Sequence, residues 1–131
     1  MPAYMQLSDC PFCTPKIRER IVAERGTVFA VPDRFSVTEG HLLILPFRHT
    51  PDWFSLTEEE RRDADALIFF LRDKIRGEDP TVTGFNIGMN CGASAGQTIF
   101  HAHIHLIPRR DGDTDDPRGG VRGVIPHKRK Y

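Results

Sequence analysis

From Phe100 to Leu106, imidazole and apolar side chains alternate without a break: His101, His103 and His105 against Phe100, Ala102, Ile104 and Leu106. Side chains on a strand repeat every second residue. The pattern therefore predicts a strand with three imidazoles on one face and an apolar, buried face behind them. A helix would scatter the same rings at roughly 100° per residue. Two other apolar runs read as strands: Thr27 to Val31, stopped by Pro32, and Gly40 to Leu45, closed by Pro46. Pro32-Asp33-Arg34 has turn chemistry, so the pair is expected as an antiparallel hairpin with a wide loop. Thr83 to Asn90 is a further strand, with Phe85, Ile87 and Met89 on one side and Asn86, Gly88 and Asn90 on the other. Residues 16–24 fit either a short helical turn or a first strand, and residues 1–9 carry no clear signal.

One segment has helical rather than strand periodicity. Across residues 57–76, Ala64, Leu67, Ile68, Leu71 and Ile75 recur at steps of three and four. That spacing makes a single apolar stripe, expected to cover one face of the sheet. Thr57 followed by Glu60 reads as a capping box at its start, and Gly77 as its C-terminal cap.

Composition narrows the function classes. The chain has 131 residues, with eighteen basic and eighteen acidic side chains. That length suits a single domain over 1–131, with a core at about 10–110 and a Gly/Arg-rich tail over 111–131. Balanced charge gives no global field to draw in nucleic acid or anionic lipid. No apolar run reaches the roughly 20 residues needed to span a bilayer, and no signal-peptide pattern opens the chain. A cytoplasmic protein is expected, in which three cysteines are poor disulfide candidates.

Three ring nitrogens on a half-open strand face suit metal binding, acid–base or nucleophilic chemistry, or phosphate binding. Cys10-Pro11-Phe12-Cys13 is a C-x-x-C knuckle: half of a zinc site or a redox pair. The thioredoxin-like context of a redox pair is missing. Zinc needs two more ligands and Cys91 stands alone, so the partners should be histidines. The small-residue loop Cys91-Gly-Ala-Ser-Ala-Gly-Gln-Thr98 leads straight into the histidine run. Its amides suit an anion nest, but no helix follows, so it is neither a P-loop nor a dinucleotide fingerprint.

The run His101-Ala-His-Ile-His-Leu-Ile resembles the signature of the histidine triad (HIT) family. Ala95-Gly-Gln-Thr98 upstream is similar to its hydrolase branches, Fhit-like and Hint-like. Asp33, His41, Asn90 and Gln97 also sit at family-like spacings, and the C-x-x-C resembles that of bacterial members. The resemblance covers roughly residues 10 to 110. It implies an α+β fold, with an antiparallel sheet of about five strands and one long helix, usually as a homodimer. It also implies nucleotide hydrolase or nucleotidyl transferase chemistry.

In that family the middle histidine attacks the α-phosphate, so His103 is the implied nucleophile. A neutral imidazole is also a good leaving group, which divides one hard displacement into two easier ones. The resemblance suggests that the carbonyl of His101 fixes its tautomer. It places His105, Asn90, Gln97 and the 92–98 loop, with Gly96 and Thr98, around the phosphate. Gln97 is assigned a proton or a second water to handle, and Asp33 the ribose hydroxyls. It implies a structural zinc on Cys10, Cys13, His49 and His101, with no catalytic metal. His41 is expected packed beneath the triad, Cys91 as a small loop residue and His127 as an exposed tail histidine.

The substrates implied are dinucleoside polyphosphates or related adenylyl compounds, adenine nucleotides above all. Phosphoramidate cleavage, phosphorolysis and an AMP-binding sensor with little turnover are the alternatives. A nucleic-acid adaptor using the basic tail is disfavoured, because that tail lacks interleaved aromatics. The tail is expected to pack on the body or on a second subunit, with Arg118 or Arg122 reaching a substrate phosphate.

Overall fold

The computed structural model describes residues 9–131. The first eight residues, part of the stretch without a clear signal, lie outside the described residues. Five antiparallel strands form one sheet: β1 (Ala23–Arg25), β2 (Val28–Pro32), β3 (Leu42–Pro46), β4 (Val82–Gly88) and β5 (Ile104–Arg110). Their spatial order is β1-β2-β3-β5-β4, which puts β5 in the interior and β4 on an edge. Residues 16–24 resolve into both candidate forms, a 3-10 turn over Pro15–Arg20 followed by β1.

The helix α1 (Glu58–Glu78) lies across one face. Its Ala64, Leu67 and Leu71 pack with Val28 and Ala30 of β2, Leu42 and Ile44 of β3, and Ile104 and Leu106 of β5. Each such leucine contributes about 1.5–3 kcal/mol by leaving water. The other face carries Phe29, Val31, Leu43 and Leu45, covered by Cys10, Phe12 and Ile17 from the N-terminal segment. The strands of the hairpin are therefore buried on both sides, which explains their unbroken apolar runs.

The capping box forms as expected: Glu60 N–H donates to Thr57 Oγ1 at 3.0 Å and Thr57 N–H to Glu60 Oε1 at 2.8 Å. The helix does not stop at Gly77. It runs to Glu78 and is capped by Asp79, whose N–H donates to Ile75 O at 2.9 Å. Pro80 is the real terminator, since the residue before a proline is pushed out of the helical region. Glu60 has a second role. Its buried carboxylate accepts from Arg48 Nε at 2.9 Å and Nη2 at 2.7 Å, tying the chain after β3 to the first turn of α1. Burial alone would raise the Glu60 pKa, but the Arg48 and Thr57 hydrogen bonds outweigh it and hold the carboxyl below its ordinary value.

Candidate functional site

The histidine strand starts later than its alternation suggests. β5 begins at Ile104, so His105 is on the ladder while His101 and His103 precede it. β3 runs out of partners at that point. Its pairing with β5 covers Leu42 to Ile44, and Pro46 has no N–H to donate. The Pro46 carbonyl is taken by His101 Nε2 at 2.8 Å, and Ala102 N–H donates to Thr50 O at 2.7 Å. The buried face holds for Ala102, Ile104 and Leu106 but fails at Phe100, which is exposed. His101 in turn is fully buried, while His103 and His105 are half-buried.

These contacts send His101 to one corner. A carbonyl only accepts, so His101 carries its proton on Nε2 and presents a bare Nδ1. That nitrogen lies 3.6 Å from Cys10 Sγ, 3.4 Å from Cys13 Sγ and 3.2 Å from His49 Nδ1. Cys13 Sγ is 3.2 Å from His49 Nδ1. Ligand-to-ligand edges of a tetrahedral zinc with Zn–N near 2.0–2.1 Å and Zn–S near 2.3 Å are roughly 3.3–3.8 Å. The four atoms lie close to that size, and two thiols with two imidazoles are the donor set of closed structural zinc sites. Burial pushes the Cys10 thiol up to about 11 and the His101 ring down to about 4, so a cation here would displace a thiol proton and meet an already neutral imidazole.

His103 is turned the opposite way. Its Nδ1 lies 2.8 Å from the carbonyl of His101, so Nδ1 bears a proton and, in the neutral ring, Nε2 is bare. The Phe12 ring stands beside it, with centroids 5.3 Å apart, and also borders His101. His105 follows on the same face, its ring centroid 5.4 Å from that of His103.

A third imidazole settles the state of His105. Val37 N–H donates to His41 Nδ1 at 3.1 Å, which leaves the His41 proton on Nε2. His41 Nε2 is 2.9 Å from His105 Nδ1 and 3.4 Å from Asp33 Oδ2. The proton points at His105 Nδ1, so His105 in turn carries its own on Nε2, as a donor. Burial lowers the pKa of both rings; for His105 the neighbouring His103 and His41 add to it, and Asp33 opposes the shift in both. Asp33, His41 and His105 are close enough to hold a cation. The Val37 amide argues for a hydrogen-bonded relay there instead, because metal binding at His41 Nε2 would require that proton to leave.

The remaining candidate residues divide. Asn90 and His105 line one cavity. Gly96, at φ 96°, sits against Asn90: a Cβ there would lie 3.9 Å from the Asn90 amide nitrogen. Gln97 is 4% exposed. Its two amide protons go to Pro51 O at 2.6 Å and Ile99 O at 3.0 Å, and its oxygen accepts from Gly92 N–H at 2.8 Å. It braces the loop with no uncommitted proton. The N–H groups of Gly92, Ala95, Gly96 and Gln97 are likewise used within the loop, so they do not form an anion nest. Thr98 is exposed, as is His127. Arg118 pairs with Asp116, and Arg122 donates to the carbonyls of Lys128 and Arg129; both stay within the tail. Phe12, the Val37 amide and the carbonyls of Pro46 and Thr50 escaped the sequence reading. Of these only Phe12, inside the C-x-x-C, left a visible trace.

The HIT domain family model matches residues 14–112. The AP-4-A phosphorylase of Mycobacterium tuberculosis is 35% identical over 114 residues, which is 84% of this chain and 53% of that protein. The chain thus spans about half the length of that relative. The crystal structure of a hypothetical histidine triad nucleotide-binding protein from Sulfolobus tokodaii superposes with a TM-score of 0.71 at 31% identity, covering 81% of this chain and 73% of that one. A zinc-bound histidine triad family protein from Mycobacterium smegmatis gives 0.72 at 28% identity, covering 90% and 91%. Triad, sheet order and matched span together establish that the chain belongs to the HIT family, a family of nucleotide-binding proteins that includes hydrolases and phosphorylases.

Proposed function

We propose that the protein cleaves dinucleoside polyphosphates or related adenylyl compounds at the α-phosphate through a covalent nucleotidyl–His103 intermediate. The observation that carries this reading is the 2.8 Å contact from His103 Nδ1 to the His101 carbonyl, which leaves Nε2 as the attacking nitrogen of the neutral ring. Nε2 attacks phosphorus, forming an N–P bond as the bond to the bridging oxygen breaks and the remaining polyphosphate leaves. Water then attacks the same phosphorus, the N–P bond breaks, and a nucleoside monophosphate and a proton are released. His105 donates its Nε2–H to a non-bridging oxygen, with Asn90 beside it; Asp33 accepts from the ribose hydroxyls. Positioning and charge neutralisation supply most of the acceleration in such transfers.

Cys10, Cys13, His49 and His101 hold a structural zinc in this reading. When bound, it cross-links the N-terminal segment to His101, whose carbonyl orients the nucleophile. We also propose a homodimer, supported by the edge position of β4 and the exposed Phe69 and Phe70 of α1. Among the described residues no helix is long and apolar enough to cross a membrane.

The test is to mix enzyme with diadenosine tetraphosphate, quench in alkali and weigh the protein. An AMP adduct on His103, absent in His103→Ala of unchanged melting temperature, is expected. A wild type that turns over substrate with no adduct would refute the covalent route. The Mycobacterium tuberculosis relative favours one variation, phosphate replacing water in the second step. That version releases ADP in place of AMP and accelerates with added phosphate.

A further inference from the structure

We propose that a cavity beside His105 receives the uncharged nucleoside moiety at the far end of the substrate's leaving polyphosphate, and that the folded C-terminal tail sets this preference. The inference rests on His103 as the nucleophile and adds the part of the substrate that departs.

The cavity, of about 600 Å³, opens at His105 and Asn90, where the phosphates would lie. Small-ligand sites span about 300–1,000 Å³, so there is room for a nucleoside. Its floor is β4 and β5; Val37 of the β2–β3 loop walls one side, and Val121 and Val124 of the tail the other. Val37, Ile87, Val121 and Val124 are 68%, 52%, 64% and 73% exposed. Single exposed apolar residues need no explanation, but four around one cavity beside a candidate catalytic face do.

Charge selects the occupant. The Arg109 guanidinium in this cavity is committed: Nε and Nη2 donate to Asp113 at 2.9 and 2.8 Å, and Nη1 to Asn86 Oδ1 at 2.7 Å. Arg109 in turn holds the Asp113 carboxyl well below the usual carboxylate range. The pair offers no net charge, so the lining suits an uncharged, flat apolar body with polar edges better than pyrophosphate.

The tail is a built wall rather than a loose arm. Gly119 sits at φ 90°, and a Cβ there would lie 2.0 Å from the carbonyl oxygen of Arg129, so the fold-back requires glycine. Arg129 Nη1 donates to Asp116 O at 2.7 Å, and the Arg122 guanidinium lies over the Tyr131 ring, 5.0 Å from its centroid. Gly120 brings this wall against Asn86 on β4. All of it lies beyond residue 112, where the match to the family model stops.

The experiment compares kcat/KM for diadenosine tetraphosphate and for adenosine 5′-phosphoramidate. Both pass through the same His103 adduct, but only the first carries a second nucleoside. In the double variant Val121→Ser, Val124→Ser the ratio of the two should fall by about tenfold or more, mostly through KM. Val37→Ser, on the opposite wall and a different segment, should move the ratio the same way. An unchanged ratio, with adducts still formed from both substrates, overturns the cavity assignment and leaves the His103 reading intact. Equal loss on both substrates with dissociation of a dimer makes the patch a subunit contact and also overturns it. No adduct from either substrate in the wild type removes both readings.

Discussion

His101 and His103 are two residues apart and are held in opposite states. His101 gives its Nε2 proton to the Pro46 carbonyl and turns Nδ1 toward two thiols and a second imidazole. His103 donates from Nδ1 to the His101 carbonyl, which in the neutral ring leaves Nε2 bare. One ring is fully buried, the other half-exposed. The same side chain thus becomes a candidate ligand in one place and a candidate nucleophile in the next, selected by which ring nitrogen meets a carbonyl. The two are also joined in series: what fixes His101 fixes the oxygen that fixes His103.

The sharpest way to break the comparison is to remove each ring in turn. His103→Ala should cut turnover by more than ~10⁴-fold with zinc content and melting temperature kept. His101→Ala should lose the zinc, lower the melting temperature by roughly 10 °C or more, and lose activity as well. Full metal content in His101→Ala, measured by elemental analysis, would remove His101 from the donor set.

That contrast was only partly legible in the sequence. Period-two alternation found β5 and the buried Ile104 and Leu106, and period 3.6 found α1 with its capping box, because repeating side chains report a repeating backbone. The C-x-x-C and the triad carried the candidate chemistry. What decides the roles is carried by backbone carbonyls at Pro46, His101 and Thr50, which leave no side-chain signature. Pro46 could have warned that the ladder ends early, since it lacks the N–H that β5 would need. Gly77 misled because glycine often ends a helix, whereas Asp79 before the intervening Pro80 does so here. The tail has no periodicity at all, and its docking on β4 depends on how closely Gly119 and Gly120 let the backbone approach.

A smaller effect is expected one step away from the reacting ring. His41→Gln breaks the relay from the Val37 amide through His41 to His105 without touching the sulfur corner. Activity should fall by roughly 10- to 100-fold, as for other groups that orient a functional ring, with zinc content unchanged. Unaltered kinetics would show that His105 needs no such orientation.

The smallest effect concerns the brace under both regions. The Arg48–Glu60 pair holds the segment that supplies Pro46, His49 and Thr50. Glu60 has a folded pKa below its ordinary 4.5. Its contribution is therefore present above that pH and lost as pH falls through the lowered folded value. Glu60→Gln should cost about 1–3 kcal/mol at neutral pH by leaving part of a buried hydrogen-bond set unmet. Denaturant titrations of both proteins should converge as the pH drops below 4.5. A gap that stays constant into acid would mean that the carboxylate charge is irrelevant.

The most direct measurement reads the ring protons themselves. Long-range proton–nitrogen correlation spectra of zinc-loaded protein, with ¹⁵N-labelled histidine, assign a protonated and a bare nitrogen to each ring. The account predicts the proton on Nε2 in His101 and His41 and on Nδ1 in His103, with His103 Nε2 bare. A His103 that carries its proton on Nε2 would contradict it.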